Sequence, residues 1–288
     1  MENILTLEHV TKRYPDFTLE DISFSLPAGS IMGFIGENGA GKSTTIKLIL
    51  NLLHRDGGRI SLFGRDNRED ERALRERVGV VFSELNLPEA LNAGQTGRIM
   101  EGIYRGWESQ AFYGCLKRFG LKPEQKIKDY SRGMKMKLAI AMALSHQAQL
   151  LLLDEPTSGL DPVVRDEILE LFQDFLQDET HSILISSHIV SDLEKIADYI
   201  TLIHRGRLLF SEEKDLLLER YRLARGPEEA LMALGTQALI GHRKGRFGSE
   251  GLLDLERLGQ CRLPEGVVLD PAGIEDMMLF WVKGGERT

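Results

Sequence analysis

Apolar and polar residues alternate over positions 4–10 and again over 17–26, where Ile22, Phe24 and Leu26 share one face. This is the period of half-buried strands, and it predicts an antiparallel sheet at the start of the chain. The unbroken apolar run Ile31-Met32-Gly33-Phe34-Ile35 reads as a strand buried on both faces, and Ile46, Ile49, Leu50 and Leu53 follow at helical spacing. From about 84 to 146 the strand signals stop and helices are predicted: one entered near Asn92, one over 110–119, one after Arg132. Strands return at 150–153, 182–186 and 199–203. Between the first two lies a helix opened by Asp161-Pro162, a favoured cap followed by a favoured first residue, with an apolar stripe of Val164, Ile168, Leu171, Phe172 and Phe175. Strands alternating with helices predict a mainly parallel sheet covered on both faces, here carrying an inserted helical subdomain.

After about 218 that alternation ends, and Arg225-Gly226-Pro227 reads as a boundary. Residues 1–218 are expected to form one domain and 219–288 a small α+β accessory domain, dimerising or regulatory. In it Ile274, Met277, Met278 and Trp281 make one helical face, with Leu279, Phe280 and Val282 beside them. Such a helix is too apolar for one-sided burial, which leaves two readings: burial between two subunits, or packing on its own small domain.

Composition narrows the function classes. With 288 residues, 42% hydrophobic and 28% charged, the chain has enough apolar content for one large core or two modest ones. A net charge of -8 argues against a surface that attracts nucleic acid as a whole. Cys115 and Cys261 stand far apart, with no metal-ligand spacing and no disulfide framework, which fits a reducing cytoplasm. The first residues lack the basic start and apolar middle of a secretory signal, and no run approaches the roughly 18 apolar residues that cross a bilayer. Any membrane role is therefore expected to come through a partner.

The chemistry concentrates in Gly36-Glu37-Asn38-Gly39-Ala40-Gly41-Lys42-Ser43-Thr44, which satisfies G-x-x-x-x-G-K-[ST] between a strand and a helix. Its glycines let the backbone wrap phosphates, its N–H groups and the helix start face the anion, Lys42 reaches the β and γ phosphates, and the Ser43 hydroxyl serves Mg²⁺. Asp154 ends a strand of four leucines and is followed by Glu155; His188 follows the strand 182–187. All three are expected at the carboxyl edge of the sheet, where ligands of such sheets bind.

A phosphate loop followed by Tyr130-Ser131-Arg132-Gly133-Met134-Lys135 and then by Leu150-Leu151-Leu152-Leu153-Asp154-Glu155 resembles the ATP-binding cassette (ABC) family over roughly the first three quarters of the chain. The resemblance implies a P-loop NTPase fold and ATP with Mg²⁺ as ligands. It makes Asp154 the metal-site aspartate, Glu155 the base for the attacking water, His188 the γ-phosphate switch, and Tyr14 the ring that stacks on adenine. Ser131 and Gly133 of the signature would touch ATP held by an opposite subunit, and Ser158-Gly159-Leu160-Asp161 matches the D-loop that links the two sites. Arg132 stands where the family has a small residue, pointing either toward phosphate or, as favoured, into solvent. Lys135 and Lys137 oppose the dipole of their helix, a cost of a few tenths of a kcal/mol that a nearby anion would offset. Where a Q-loop glutamine is usual the chain has Ser83 and Glu84, and either would reach the metal through water.

These features imply the ATPase subunit of a bacterial-type exporter for peptides or drugs. Its expected partners are a second cassette, identical or different, and a separate permease; its expected place is the cytoplasmic face of the membrane, reached only through that permease. No nucleic acid partner is expected. The competing class is a soluble ABC-type clamp acting on a protein or nucleic acid, disfavoured by the single cassette and the lack of a long coiled coil.

Overall fold

The computed structural model describes residues 2–83, 87–245, 248–259 and 262–284. They fall into two compact units, Met1–Leu208 and Leu209–Thr288. In chain order the first contains β1 (Asn3–Arg13), β2 (Thr18–Pro27), β3 (Ile31–Ile35), α1 (Lys42–Ile49), β4 (Gly57–Leu62), β5 (Arg65–Asp66), α2 (Glu71–Glu76), β6 (Val78–Val81), α3 (Ala93–Ile103), α4 (Ser109–Arg118), α5 (Arg132–Ala143), β7 (Leu150–Asp154), α6 (Pro162–Phe175), β8 (Ser182–Ser187), α7 (Val190–Ile196) and β9 (Tyr199–His204). The division falls inside β10 (Arg207–Glu213). It precedes the expected position 218 because the strand–helix alternation runs on past the point where the packing partners change.

The alternating segments β1 and β2 pair antiparallel, in an antiparallel sheet of order β2-β1-β4-β5. Leu19, Ile22, Phe24 and Leu26 of β2 are buried, and register shifts along the pair keep them on the core side. The main sheet has the order β10-β9-β3-β8-β7-β6, with β3, β6, β7, β8 and β9 parallel. Every residue of β3, β7 and β8 is buried, which explains why these strands read as continuous rather than alternating apolar runs.

The segment expected to be a helical insertion contains α3, α4, α5 and a short 3₁₀ turn at Ile127–Asp129. Asn92 caps α3 in a reciprocal box: its side chain accepts from Gln95 N, and Gln95 Oε1 accepts from Asn92 N. Gly97 lets α3 approach α4, since a Cβ there would lie 2.6 Å from the Phe112 ring. His146, buried beyond the end of α5, stacks on Tyr104 and has a ring nitrogen 3.2 Å from each of the Met142 and Val78 carbonyls. Burial holds its pKa below the ordinary value, partly countered by those carbonyls.

The second unit continues with α8 (Lys214–Arg220), β11 (Tyr221–Gly226), α9 (Glu228–Met232), α10 (Gly235–Ala238), β12 (Leu239–Gly245), β13 (Gly248–Asp254), α11 (Leu255–Leu258), β14 (Val268–Pro271) and α12 (Ile274–Gly284). Its four strands form an antiparallel sheet, β12-β13-β11-β14. Ala224, Leu231, Ala238, Leu253 and Leu258 make its core. Arg225-Gly226-Pro227 is not a boundary: two of the three end β11 and Pro227 leads into α9. Ile274, Met277, Phe280 and Val282 of α12 are buried, whereas Met278, Leu279 and Trp281 are half-buried. The buried face thus runs through Phe280 rather than through Met278, and α12 packs against β12 and β13 of its own unit.

Candidate nucleotide site

Sheet register builds the site. β3 lies between β8 and β9, and β8 lies beside β7, with Ile35 opposite Ser187 and Asp154 opposite Ser186. The carboxyl ends of three neighbouring strands therefore deliver the loop after β3, the acidic pair after β7 and His188 after β8 to one edge. The loop at residues 36–41 runs directly into α1, whose first-turn amides are of the kind that receive an anion. Close packing requires glycine at two points. A Cβ on Gly36 would lie 2.4 Å from the Ile203 carbonyl oxygen, and Gly41 has φ 118° with a Cβ position 2.8 Å from Leu19. Glu37, Asn38 and Gly39 are exposed at the rim, Ala40 and Lys42 are buried, and Ser43 and Thr44 are partly open at the start of α1.

Lys42 donates from Nζ to the Gly36 carbonyl at 2.7 Å and the Glu37 carbonyl at 3.3 Å, and lies 3.2 Å from Glu155 Oε1. Glu155 Oε2 lies 2.6 Å from His188 Nδ1, so the proton belongs on that nitrogen. The His188 backbone N–H also donates to Oε2, at 3.3 Å. Glu155 Oε1 is buried and held by the Lys42 ion pair, with no hydrogen bond from another group. Beside it Asp154 accepts from Ser186 Oγ at 2.6 Å, and the same hydroxyl accepts from the Glu155 N–H at 3.2 Å. The structure thus brings Lys42, Asp154, Glu155 and His188 together. Ser186, which holds both acids, left no signal in the sequence because only strand pairing makes it their neighbour.

Tyr14 stands at the exposed start of the loop between β1 and β2, its ring centroid 6.4 Å from that of Phe17 and Lys12 Nζ 5.7 Å from its own. Phe17 in turn packs toward Gly41, which relates the tyrosine to the phosphate loop. His204, among the histidines without a sequence signal, lies 3.4 Å from Glu37 of the loop. Ser83 is partly buried just beyond β6, and Glu84 and Leu85 lie outside the described residues.

A second surface gathers the signature. Ser131 caps α5, its Oγ accepting from Met134 N at 3.2 Å, and Asp161 caps α6, accepting from Val164 N at 3.1 Å. Ser131, Arg132, Gly133, Gly159 and Asp161 line one open cleft of about 460 Å³. Arg132 is exposed, and its guanidinium lies over Gly159, where a Cβ would meet Nη1 at 2.6 Å. Lys135 and Lys137 pair with Glu89 at 3.4 Å and Glu167 at 2.7 Å, so carboxylates of the chain offset their dipole cost.

A sequence profile described as ABC transporter matches residues 19–158. A bacitracin transport ATP-binding protein of Enterococcus faecalis is 35% identical over 212 residues, covering 73% of this chain and 69% of the relative. The chain belongs to the ABC transporter family. A lantibiotic transport ATP-binding protein of Streptococcus pyogenes is 34% identical over 216 residues, 74% of this chain and 92% of that protein. A solved ATP-binding subunit of an ABC transporter superposes with TM-score 0.69 at 28% identity, over 75% of this chain and 92% of the other. As an ABC ATPase the chain binds and hydrolyses ATP as a subunit of a transporter, on a P-loop NTPase fold. Among the described residues no helix is long and apolar enough to cross a membrane.

Proposed function

We propose that two such cassettes close on ATP and drive a separate exporter permease carrying a peptide or drug-like cargo. The observation that carries this reading is the convergence of Lys42, Glu155 and His188, a cation, a base and a switch within hydrogen-bond reach at one sheet edge. Residues 36–44 would cradle the phosphates of ATP, with Lys42 exchanging its carbonyl partners for phosphate oxygens. Tyr14 would cover the adenine face. Among the described residues no three His, Cys, Asp or Glu side chains cluster to hold a metal on their own. An oxygen set of Ser43 and Asp154, with Ser83 reaching in through water, fits Mg²⁺, which keeps several waters and arrives with phosphate. The ion would neutralise charge developing on the phosphates.

Glu155 would accept the proton of the attacking water, and His188, held by Glu155, would sense the γ phosphate. The cleft of Ser131, Arg132, Gly133 and Asp161 would close over the ATP of a second cassette, identical or different. The permease would bring the subunit to the cytoplasmic face of the membrane. The bacitracin and lantibiotic relatives support an exporter reading of this kind.

The test is ATPase rate and subunit mass of the wild type and Glu155→Gln with Mg-ATP, with and without the permease in lipid. We expect Glu155→Gln to lower turnover by roughly 10² to 10⁴ while keeping ATP and accumulating as a dimer. Turnover that the substitution leaves intact, or a wild type that answers to nucleic acid and ignores the permease, would overturn the reading.

A further inference from the structure

The helices that follow the D-loop and the switch histidine are α6 and α7, and they lie side by side. Arg165 sits in the first turn of α6, its backbone N–H bonded to the Asp161 carbonyl at 3.0 Å. Asp192 sits in the first turn of α7, its N–H bonded to the Ile189 carbonyl at 3.3 Å, four positions after His188. The two side chains face each other across the helix pair. Arg165 Nη1 lies 3.6 Å from Asp192 Oδ1, too far for a hydrogen bond. The Asp192 side chain is only 3% exposed. Its Oδ2 and the Nε of Arg165 are both buried without a hydrogen bond. A buried carboxylate facing a guanidinium that is 27% exposed, with one polar atom on each side unused, is a costly arrangement, since the carboxylate is desolvated and its pairing is incomplete. A small slide of one helix along the other closes the gap and satisfies both groups with the parallel two-bond geometry that arginine and carboxylate favour. Farther along the same helices Asp166 and Lys195 make a second pair at 3.1 Å, but both are about 60% exposed, so solvent screens it.

We propose that Arg165 and Asp192 are positioning residues for hydrolysis: a half-closed latch that fixes the spacing of the loops carrying Asp161 and His188 and closes to a two-bond pair when each loop engages its ATP. The inference rests on the reading that His188 acts at the ATP of this cassette and Asp161 at the ATP of a second one. The pair couples two loops through rigid helix starts, so losing it displaces reacting groups without removing any group that touches ATP.

The experiment is steady-state ATP hydrolysis by the full-length chain as wild type, Asp192→Asn, Asp192→Glu, Arg165→Lys, Arg165→Met, the Arg165→Met/Asp192→Asn double variant and Lys195→Ala, with thermal unfolding of each. Asp192→Asn is expected to lower kcat by about 10- to 10²-fold. Its KM for ATP should stay within about twofold, because no ATP contact is lost. Asp192→Glu, which keeps the charge and adds reach, should restore kcat. The double variant should be no slower than the slower single variant, as members of one coupled unit behave. Lys195→Ala should match the wild type. Unchanged kcat in Asp192→Asn, an equal loss in Lys195→Ala, or additive losses in the double variant would overturn the latch. If Asp192→Asn fails to fold, Arg165→Lys decides: a point charge without the planar fork should lower kcat at unchanged melting temperature, and wild-type kcat there would overturn the proposal. Turnover that Glu155→Gln abolishes but Asp192→Asn leaves intact sinks the latch alone; turnover indifferent to Glu155→Gln sinks the site reading beneath it.

Discussion

At φ 53° Glu155 occupies the left-handed region that glycine enters freely and other residues enter at about 1–3 kcal/mol. The strain is held by the Ser186 contacts to its N–H and by the turn in which Ser158 N–H donates to the Glu155 carbonyl at 3.2 Å. It turns the carboxylate back between Lys42 and His188 instead of continuing the strand direction of Asp154. Lys42 is the counterpart on the other side: its ammonium is satisfied by loop carbonyls and by Glu155. Lys42→Ala is expected to weaken ATP binding about 10- to 10²-fold, from the 1.5–3 kcal/mol of a charged hydrogen bond, read by titration with a fluorescent ATP analogue. Affinity equal to the wild type would remove Lys42 from the phosphate site. The contiguous residues 36–44 were legible in the sequence because one loop carries their whole geometry. Ser186 and Asp192 were not, since each acts across an element boundary.

Elements read well where their signals are local. The starts of α5 and α6 at Ser131 and Asp161 follow from residues whose side chains satisfy free amides of the first turn. The same holds for α3, whose capping box makes a clean prediction. Asn92→Ala should cost about 0.5–2 kcal/mol. That corresponds to roughly 1–8 °C in the unfolding temperature of a domain this size, measurable by calorimetry. A shift below that range would mean the box contributes little beyond what water supplies. The pattern of α12 was read less completely: its apolar composition was plain, but which residues face the sheet depends on the angle at which the helix meets β12 and β13. Phe280 took the buried place because one turn of helix brings it in line with Met277, whereas Trp281 keeps part of its ring at the surface.

The two units of the whole chain are stabilised differently. The first depends on strands buried on both faces, the second on a smaller apolar core supplemented by ion pairs. Asp254 is fully buried and accepts from Arg220 at 3.1 and 2.7 Å while capping α11. Burial pushes its carboxyl up, but the Arg220 bonds and the Arg257 amide outweigh it and hold the pKa below the ordinary 3.8. A carboxyl depressed in the folded state contributes stability that is fully present above its unfolded pKa and lost as pH falls through the folded one. The second unit should therefore loosen below about pH 4, and Asp254→Asn should flatten that acid limb while lowering stability at neutral pH. One tryptophan lies in each unit, so Trp281 fluorescence in a Trp107→Phe background reports the second unit alone. An acid limb unchanged by Asp254→Asn would assign the sensitivity elsewhere, with Glu250 between Arg225 and Arg243 the next group to vary.

The sequence by itself determined the parallel sheet, the helical insertion, the phosphate loop and the order in which Lys42, Asp154, Glu155 and His188 appear, because burial on two faces and helix caps are written in consecutive residues. Tertiary structure decided which of these residues touch. Placing β3 between β8 and β9, and β7 beside β8, set Ser186 under the two acids; laying α6 against α7 brought Arg165 to Asp192. Strand order and helix contact arise from packing between segments far apart in the chain, and no local pattern of residue types encodes that distance.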